Sequence, residues 1–151
     1  HLRLGSRVFS PMIKKGSVDF LLAFERLEGA RWAGYLRWGG IAIVNDHAIP
    51  PLSTVGGGAH YPTTEEVERI IRQYTDQIFV LPATQIAREL GNPQVLNVLL
   101  VGFLSAFLDI DEKSYTDDLR QRVPARFLEL NLDAFARGRK EARALRGAGG
   151  C

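Results

Sequence analysis

Polar side chains directly follow three short apolar runs of the chain. These side chains belong to Glu25, Asn45, Asp46 and Thr84. In open α/β sheets, ligands bind beyond the carboxyl ends of the strands, so these groups are placed to contact a ligand or a partner. The same residue types also cap helices and turns, and the sequence leaves that structural alternative open.

The remaining reactive side chains do not form a recognisable catalytic set. His47 and His60 flank a long loop without the spacing of a metal site, and Ser53 lacks the G-x-S-x-G context of a nucleophile. The single cysteine, Cys151, cannot by itself build a disulfide, a zinc cage or an iron–sulfur cluster. Gly56–Gly58 do not lead directly into a helix, as a phosphate-binding loop would. The sequence therefore favours a binding module or one subunit of a larger enzyme, and predicts no metal bound by this chain alone.

Composition limits the classes of partner. The chain has 151 residues, 46% of them hydrophobic, and a formal net charge of +2. This balance predicts a folded core without nucleic-acid or membrane partners. The longest apolar stretch, Val95–Leu108, is too short for a bilayer core of roughly 30 Å. Because neither a secretory signal nor a cysteine framework is visible, the cytoplasm is the expected compartment.

Apolar runs alternate with helical patterns, which is typical of parallel strands joined by crossover helices. We predict a three-layer α/β/α sandwich with a mostly parallel, mixed sheet and a helical C-terminal third. Strands are predicted at Leu2–Leu4, Arg7–Phe9, Val18–Leu22, Ile41–Val44 and Ile78–Leu81. Helices are predicted at Glu25–Leu36 (ended by Gly39 and Gly40), from Thr63 with Glu66 as a capping box, and at Thr84–Leu90, Pro93–Leu108, Glu112–Gln121 and Ala125–Arg143.

The ends of the chain carry two expectations. Residues 2–9 already alternate between apolar and polar, as in a strand, so upstream sequence is expected to be missing. One domain is predicted over residues 1–146, followed by a disordered tail over residues 147–151.

Several segments resemble a known family, in the same order along the chain. Val8–Ile13 is similar to "V-Y-S-P-L-I" and Asp19–Glu28 to "D-L-L-L-A-F-E-P-L-E"; Glu89–Pro93, Asn97 and Leu128–Phe135 continue the series. The family is the gamma-type domain of 2-oxoacid:ferredoxin oxidoreductases. Within it, the segments are most similar to the beta subunits of the indolepyruvate enzymes. The family's opening "G-x-G-G-Q-G" segment is absent here.

The resemblance implies a non-catalytic subunit of an enzyme complex. A large partner subunit would hold thiamine diphosphate, Mg²⁺ and the iron–sulfur clusters, and none of these would be bound by this chain alone. The complex would convert an aryl 2-oxoacid and CoA to an acyl-CoA and pass electrons to ferredoxin. Among matched positions, the predicted ligand or subunit contacts are Ser10, Glu25, Asn45, Asn92 and Asn97. Asn92 is alternatively a helix cap, and Asn97 is alternatively bonded within a buried interface.

Other functions stay open at this point. A free-standing module that binds a nucleotide or CoA is the alternative suggested by the strand-end polar groups and by the basic residues between Arg137 and Arg146. A solvated basic helix end explains the same arginines. The apolar segment Pro93–Leu108 also suits an oligomerisation domain, with a homodimer as the state of the isolated chain. The resemblance favours indolepyruvate, while pyruvate, 2-oxoglutarate and branched-chain acids stay open as substrates.

Overall fold

The chain contains a three-stranded sheet whose middle strand pairs in parallel with the first. The computed structural model describes residues 1–8, 12–49 and 60–148. Strand β1 (Val18–Ala23) pairs in parallel with β2 (Leu36–Asn45), and β3 (Ile78–Leu81) lies on the other side of β2. The three strands form a parallel sheet, so the predicted α/β class with a mostly parallel sheet is confirmed.

Six helices accompany the strands in the described residues. They are α1 (Arg26–Trp32), α2 (Thr64–Ile71), α3 (Ala83–Glu89), α4 (Leu96–Ser105), α5 (Glu112–Arg122) and α6 (Ala125–Ala148). Short 3₁₀ turns at Ala33–Tyr35 and Pro93–Val95 follow α1 and precede α4. Because α6 continues to Ala148, the first two residues of the predicted disordered tail are helical.

The chain divides into two compact units, His1–Val80 and Leu81–Cys151. The core of the first is small and aliphatic, with Ala23, Leu36, Val44 and Ile71 almost fully buried. The second is built around α4 and α6, with Leu99, Leu100, Phe103 and Phe135 almost fully buried. The predicted single domain over residues 1–146 stays a prediction.

The glycine pair Gly39–Gly40 lies inside β2, so the predicted helix end at this pair was wrong. The helical segment ends at Tyr35, and the β1–β2 register shifts between Val18 and Phe20, as in a β-bulge. Gly39 has a φ of +70°, and a Cβ on Gly40 would lie 3.0 Å from the carbonyl oxygen of Val18. The pair therefore lets β2 bulge against β1 rather than closing a helix.

Three further predicted elements need correction. Residues 1–8 contain no strand, because their backbone does not pair in a sheet ladder, so the predicted strand Leu2–Leu4 is wrong. Of the predicted strand Arg7–Phe9, the structure describes Arg7 and Val8, which are not in a strand; Phe9 lies outside the described residues. The predicted helix Pro93–Leu108 instead begins as a 3₁₀ turn and is α-helical only over α4.

The second unit depends on a close crossing of α4 and α6. A Cβ on Gly102 would overlap the carbonyl oxygen of Phe135, and one on Gly138 would overlap that of Leu99. The two backbones can therefore approach only because both positions are glycine. This crossing buries most of the apolar helix α4, as its sequence predicts, and leaves Asn97 and Val101 exposed.

Candidate functional site

Polar side chains do gather at the carboxyl ends of β1 and β2. Ala23 and Val44 are partners in the parallel register, so the residues that follow them emerge at one edge of the sheet. We call Glu25, Arg26, Asn45, Asp46 and Thr64 the strand-end cluster; Thr64 joins it from the first turn of α2. Thr84, the fourth predicted strand-end residue, lies in α3 of the second unit.

Glu25 is the N-cap of α1 and is only 8% exposed. Its two carboxylate oxygens accept hydrogen bonds from the backbone N–H groups of Leu27 (3.0 Å) and Glu28 (3.1 Å). A carboxylate at this position satisfies free N–H groups and complements the helix dipole. Glu25 therefore caps α1, as the structural alternative predicts, and both of its carboxylate oxygens already accept hydrogen bonds within the chain.

Asn45 is fully buried at the end of β2. Its Nδ2 donates to the carbonyl oxygen of Phe24 at 2.9 Å, which ties the end of β2 to the residue that follows β1. A buried amide must find such partners within the fold, because leaving it unpaired costs free energy. Asn45 therefore fixes the spacing of the two strand ends.

Arg26 links three elements. Its Nη1 donates to the hydroxyl of Thr64 at 3.0 Å, and that hydroxyl donates to Asp46 Oδ1 at 2.8 Å. Arg26 Nε lies 3.4 Å from the same Asp46 oxygen, and its guanidinium carbon lies 5.8 Å from the ring centre of Tyr61. Among the described residues, Arg26 Nε has no hydrogen-bond partner of good geometry. The sequence reasoning did not single out Arg26, Tyr61 or Thr64.

A local signal for Arg26 was present in the sequence. Arg26 stands where the quoted family segment has proline, directly after the strand-end glutamate. Proline at the first position of a helix only fixes the backbone, whereas arginine adds five donors and a charge. The signal for Thr64 was absent, since its bond to Arg26 spans 38 positions in the sequence.

The start of α2, beside the cluster, is fixed by the predicted capping box. The Thr63 hydroxyl accepts from Glu66 N at 3.3 Å, and Glu66 Oε2 accepts from Thr63 N at 2.8 Å. His60 Nε2 also lies 2.7 Å from Glu66 Oε2. This contact with His60, together with the Thr63 N–H, lowers the pKa of the Glu66 carboxyl below its ordinary value.

In the second unit, Asn92 and Asn97 line one shallow cleft. Asn92 caps the 3₁₀ turn, with its Oδ1 accepting from Gln94 N at 2.9 Å, as the capping alternative predicts. Asn97 is exposed, and its Oδ1 accepts from the neighbouring Val98 N at 2.9 Å. It is therefore not buried within this chain.

Two basic residues of α6 form hydrogen bonds with other residues of the second unit. Arg139 Nη1 donates to Ser105 Oγ at 2.9 Å, and its Nε lies 3.1 Å from Glu112 Oε2. Arg146 Nη1 donates to the carbonyl oxygen of Ala106 at 2.8 Å. Arg139 and Arg146 therefore brace the packing of the second unit.

Several predicted positions and chemistries have no described site. Four of the positions considered above lie outside the described residues: Ser10, Ser53, Gly56–Gly58 and Cys151. Within residues 1–8, 12–49 and 60–148, no group of three or more His, Cys, Asp or Glu side chains is arranged to hold a metal ion. Over the same part of the chain, no helix is long and apolar enough to cross a bilayer.

The strand-end cluster consists of a guanidinium, carboxylates, an amide and a hydroxyl, most of them already bonded to one another. It offers contacts, and the Thr64 hydroxyl within it accepts from Arg26 and donates to Asp46. Residues 1–141 match the family model described as pyruvate ferredoxin/flavodoxin oxidoreductase. The chain belongs to that family. The predicted resemblance to gamma-type domains of 2-oxoacid:ferredoxin oxidoreductases is thus confirmed.

Individual relatives of this oxidoreductase family member are named as subunits. Indolepyruvate oxidoreductase subunit IorB of Thermococcus kodakarensis is 32% identical over 150 residues, covering 97% of this chain and 74% of that protein. Subunit IorB of Pyrococcus horikoshii is 31% identical over 148 residues, covering 96% and 73%.

Solved structures support the same fold for this family member. The gamma subunit of a keto/oxoacid ferredoxin oxidoreductase from Geobacter sulfurreducens has a TM-score of 0.63 at 23% identity, covering 85% of this chain and 66% of that one. The 2-oxoglutarate:ferredoxin oxidoreductase from Magnetococcus marinus has a TM-score of 0.60 at 21% identity, covering 86% and 20%. At these identities the likeness concerns the fold.

Proposed function

We propose that this chain is a non-catalytic subunit of a cytoplasmic, thiamine-diphosphate-dependent indolepyruvate:ferredoxin oxidoreductase. A larger partner subunit would carry thiamine diphosphate, Mg²⁺ and the iron–sulfur clusters. In the overall reaction the 2-oxoacid carboxylate leaves as CO₂, the acyl group is transferred to the CoA thiol, two electrons reduce two ferredoxins, and one proton is released. The observation that carries the proposal is the 97% coverage of this chain by a relative named as an indolepyruvate oxidoreductase subunit.

The strand-end cluster is the contact surface that we assign to this function. Asp46 is 37% exposed and Arg26 is 20% exposed in their side chains, so the pair is accessible at the edge of the sheet. Glu25 and Asn45 hold that edge in place from within. The cluster would bind a partner or an acyl-carrying ligand and would leave bond making to the large subunit.

Co-expression tests the proposed function. The chain is purified anaerobically with the thiamine-diphosphate-binding large subunit of its organism, and ferredoxin reduction is followed with indolepyruvate and CoA. We expect a stable complex whose activity is lost when either chain is omitted. Faster turnover with pyruvate, 2-oxoglutarate or a branched-chain 2-oxoacid would correct the substrate, and failure to associate would overturn the subunit role.

A pair of variants tests the strand-end cluster within that complex. Arg26→Ala removes the guanidinium that contacts both Asp46 and Thr64 and leaves their direct hydrogen bond in place. Arg31→Ala removes an exposed arginine of the same helix whose pairing with Glu28 is local. We expect weaker association or a higher KM for CoA with Arg26→Ala and no change with Arg31→Ala. Equal behaviour of the two variants would show that the cluster only supports the fold.

The free-standing ligand-binding module is the competing function. It drew its support partly from the basic last helix, whose arginines bind within the second unit. Calorimetry of the isolated chain with nucleotides and CoA decides this point. Tight binding without a partner would favour that module over the subunit.

A further inference from the structure

Trp38 lies in strand β2, yet it is 78% exposed. Leu36, two positions before it in the same strand, is buried. Alternate residues of a regular strand share one face of the sheet, so a buried Leu36 predicts that position 38 is buried as well. A local irregularity of β2 must therefore turn Trp38 away from the sheet.

The irregularity is the bulge between β1 and β2. The register of the two strands leaves four residues of β2, positions 37–40, opposite Asp19 alone. Gly39 within this segment has a φ of +70°, which glycine adopts without strain. Bulges re-aim side chains and are common beside functional sites. Here the bulge carries Trp38 out of the plane of the sheet and into solvent.

Hydrogen bonds hold the bulge on both sides of Trp38. Arg37 Nε donates to Asp19 Oδ1 at 2.6 Å, and Arg37 Nη1 donates to the carbonyl oxygen of Trp38 at 3.2 Å. On the other side, Gln77 Nε2 donates to the carbonyl oxygen of Gly39 at 2.9 Å. Fixing an exposed indole in this way adds no buried apolar surface to the chain itself. It does reduce the conformational freedom that a partner would have to remove on binding.

The turn that precedes β1 adds basic groups near Trp38. This turn carries Lys14 and Lys15, and its Gly16 N donates to the carbonyl oxygen of Gly34, just before β2, at 3.1 Å. Both lysines are exposed, and within the described part of the chain neither has an ion-pair partner. The turn and the bulge therefore lie together at the amino ends of β1 and β2, at the other end of these strands from the strand-end cluster.

The other charges near the bulge select the class of partner. Arg37 is already paired with Asp19, and Asp76 is exposed in the connection that carries Gln77. This mixture of signs does not suit a polyanion or an anionic membrane, which favour surfaces of uniformly basic character. Two copies of this chain that met through the same patch would bring like-charged lysines together. A different protein, with carboxylates around an apolar pocket, is complementary to the patch.

We propose that Trp38 anchors an interface with the large partner subunit, where it enters an apolar pocket bordered by carboxylates that face Lys14 and Lys15. Tryptophan is enriched among the few residues that dominate binding energy at protein interfaces, and a rigidly presented anchor lowers the cost of association. This assignment rests on the proposed subunit function. It adds a second contact region, at the end of the strands opposite the strand-end cluster.

Binding of the large subunit to variants of position 38 tests the anchor. Trp38→Ala truncates an exposed side chain, so its circular dichroism is expected to match that of wild type. Because loss of an interface anchor is expensive, we expect the Kd for the large subunit to rise by about 30-fold. Trp38→Phe keeps an aromatic ring and should recover part of the affinity. Ile110→Ala, which truncates an exposed apolar residue between α4 and α5, is the matched control and should leave the Kd unchanged.

A charge reversal tests the basic side of the patch. Lys15→Glu and Lys140→Glu change the net charge equally, and both lysines are exposed, but Lys140 lies on α6 of the second unit. We expect only Lys15→Glu to slow association with the large subunit, and its difference from wild type should shrink as the salt concentration is raised. Equal effects of the two reversals would refute the charge complementarity.

A photo-crosslinking aromatic residue in place of Trp38 identifies the occupant in the assembled complex. We expect crosslinks to one short segment of the large subunit, located by mass spectrometry. A complex that forms with an unchanged Kd for Trp38→Ala would overturn this inference while leaving the subunit function intact. Crosslinks that are scattered, absent, or confined to ferredoxin or to a second copy of this chain would do the same. Absence of any complex with the wild-type chain would instead defeat the subunit function and this inference with it.

Discussion

Asn45 and Asn97 carry the same side chain, and the regions around them use it in opposite ways. In the strand-end cluster, Asn45 is fully buried and bonds across to the residue after β1. In the cleft of the second unit, Asn97 is exposed and accepts a hydrogen bond from its own neighbour in the helix. The difference lies in burial, because a buried amide must be satisfied by the fold, whereas an exposed one keeps capacity for a partner.

The comparison also separates two kinds of support. The strand ends are held by polar bonds between elements, whereas the second unit is built on the close crossing of α4 and α6. Removing polar bonds costs a few kcal/mol at most, while blocking a backbone crossing forces whole helices apart. We therefore expect the largest effects of substitution at the crossing and the smallest at the exposed Asn97.

The substitution with the largest expected effect is Gly138→Ala. Its Cβ would overlap the carbonyl oxygen of Leu99 and lie 2.7 Å from Phe103 N, so α4 and α6 must separate. We expect a loss of at least ~3 kcal/mol in the free energy of unfolding, measured by urea denaturation. Gly147→Ala on the same helix meets nothing within 4 Å, so it is the matched control and should be neutral or slightly stabilising. Similar stabilities for the two variants would refute the close crossing.

The next effect is expected from Asn45→Ala. This substitution leaves the Phe24 carbonyl without its donor and opens a small void beneath the strand ends. We expect a loss of about 1–3 kcal/mol in the free energy of unfolding. Thermal unfolding followed by circular dichroism measures it, at about 2–4 °C per kcal/mol for a chain of this size. A melting temperature within about 1 °C of wild type would contradict the structural role of Asn45, because a loss of 1 kcal/mol already shifts it by about 2–4 °C.

Particular residues show where prediction from the sequence succeeds and where it fails. The capping box at Thr63 and Glu66 was predictable because its bonds join residues three positions apart. Gly39–Gly40 was misinterpreted because a glycine pair suits a helix end and a β-bulge equally, and only the carbonyl of Val18 on the neighbouring strand decides between them. Arg26 was missed although it stands where the family segment has proline, and Thr64 was missed because its bond to Arg26 joins residues that are distant in the sequence.

The position of the strand-end cluster, in contrast, followed from the order of strands and helices. Apolar runs predicted β1 and β2, and parallel pairing brings the residues after them to one edge. The sequence could not show which of these polar groups would be hydrogen-bonded within the fold. That outcome depends on burial, which arises from packing between distant segments.

A smaller, pH-dependent effect is expected at Glu66. Its pKa is lowered in the folded chain by the His60 hydrogen bond and the Thr63 N–H, so the carboxylate stabilises the fold above the ordinary pKa of about 4.5. This contribution is lost as the pH falls through the lowered folded-state pKa. Chemical denaturation should therefore find Glu66→Gln less stable than wild type at pH 7, and the two proteins should converge as the pH falls through that lowered pKa. A difference between the two proteins that is independent of pH would exclude this linkage.

The smallest effect on stability is expected from Asn97→Ala, and this makes it the sharpest comparison with Asn45→Ala. The lost bond to Val98 N is local and solvent-exposed, and alanine is a better helix former than asparagine. We expect the free energy of unfolding of the isolated chain to stay within about 0.5 kcal/mol of wild type. A loss comparable to that of Asn45→Ala would mean that the amide of Asn97, like that of Asn45, is needed for the stability of the fold.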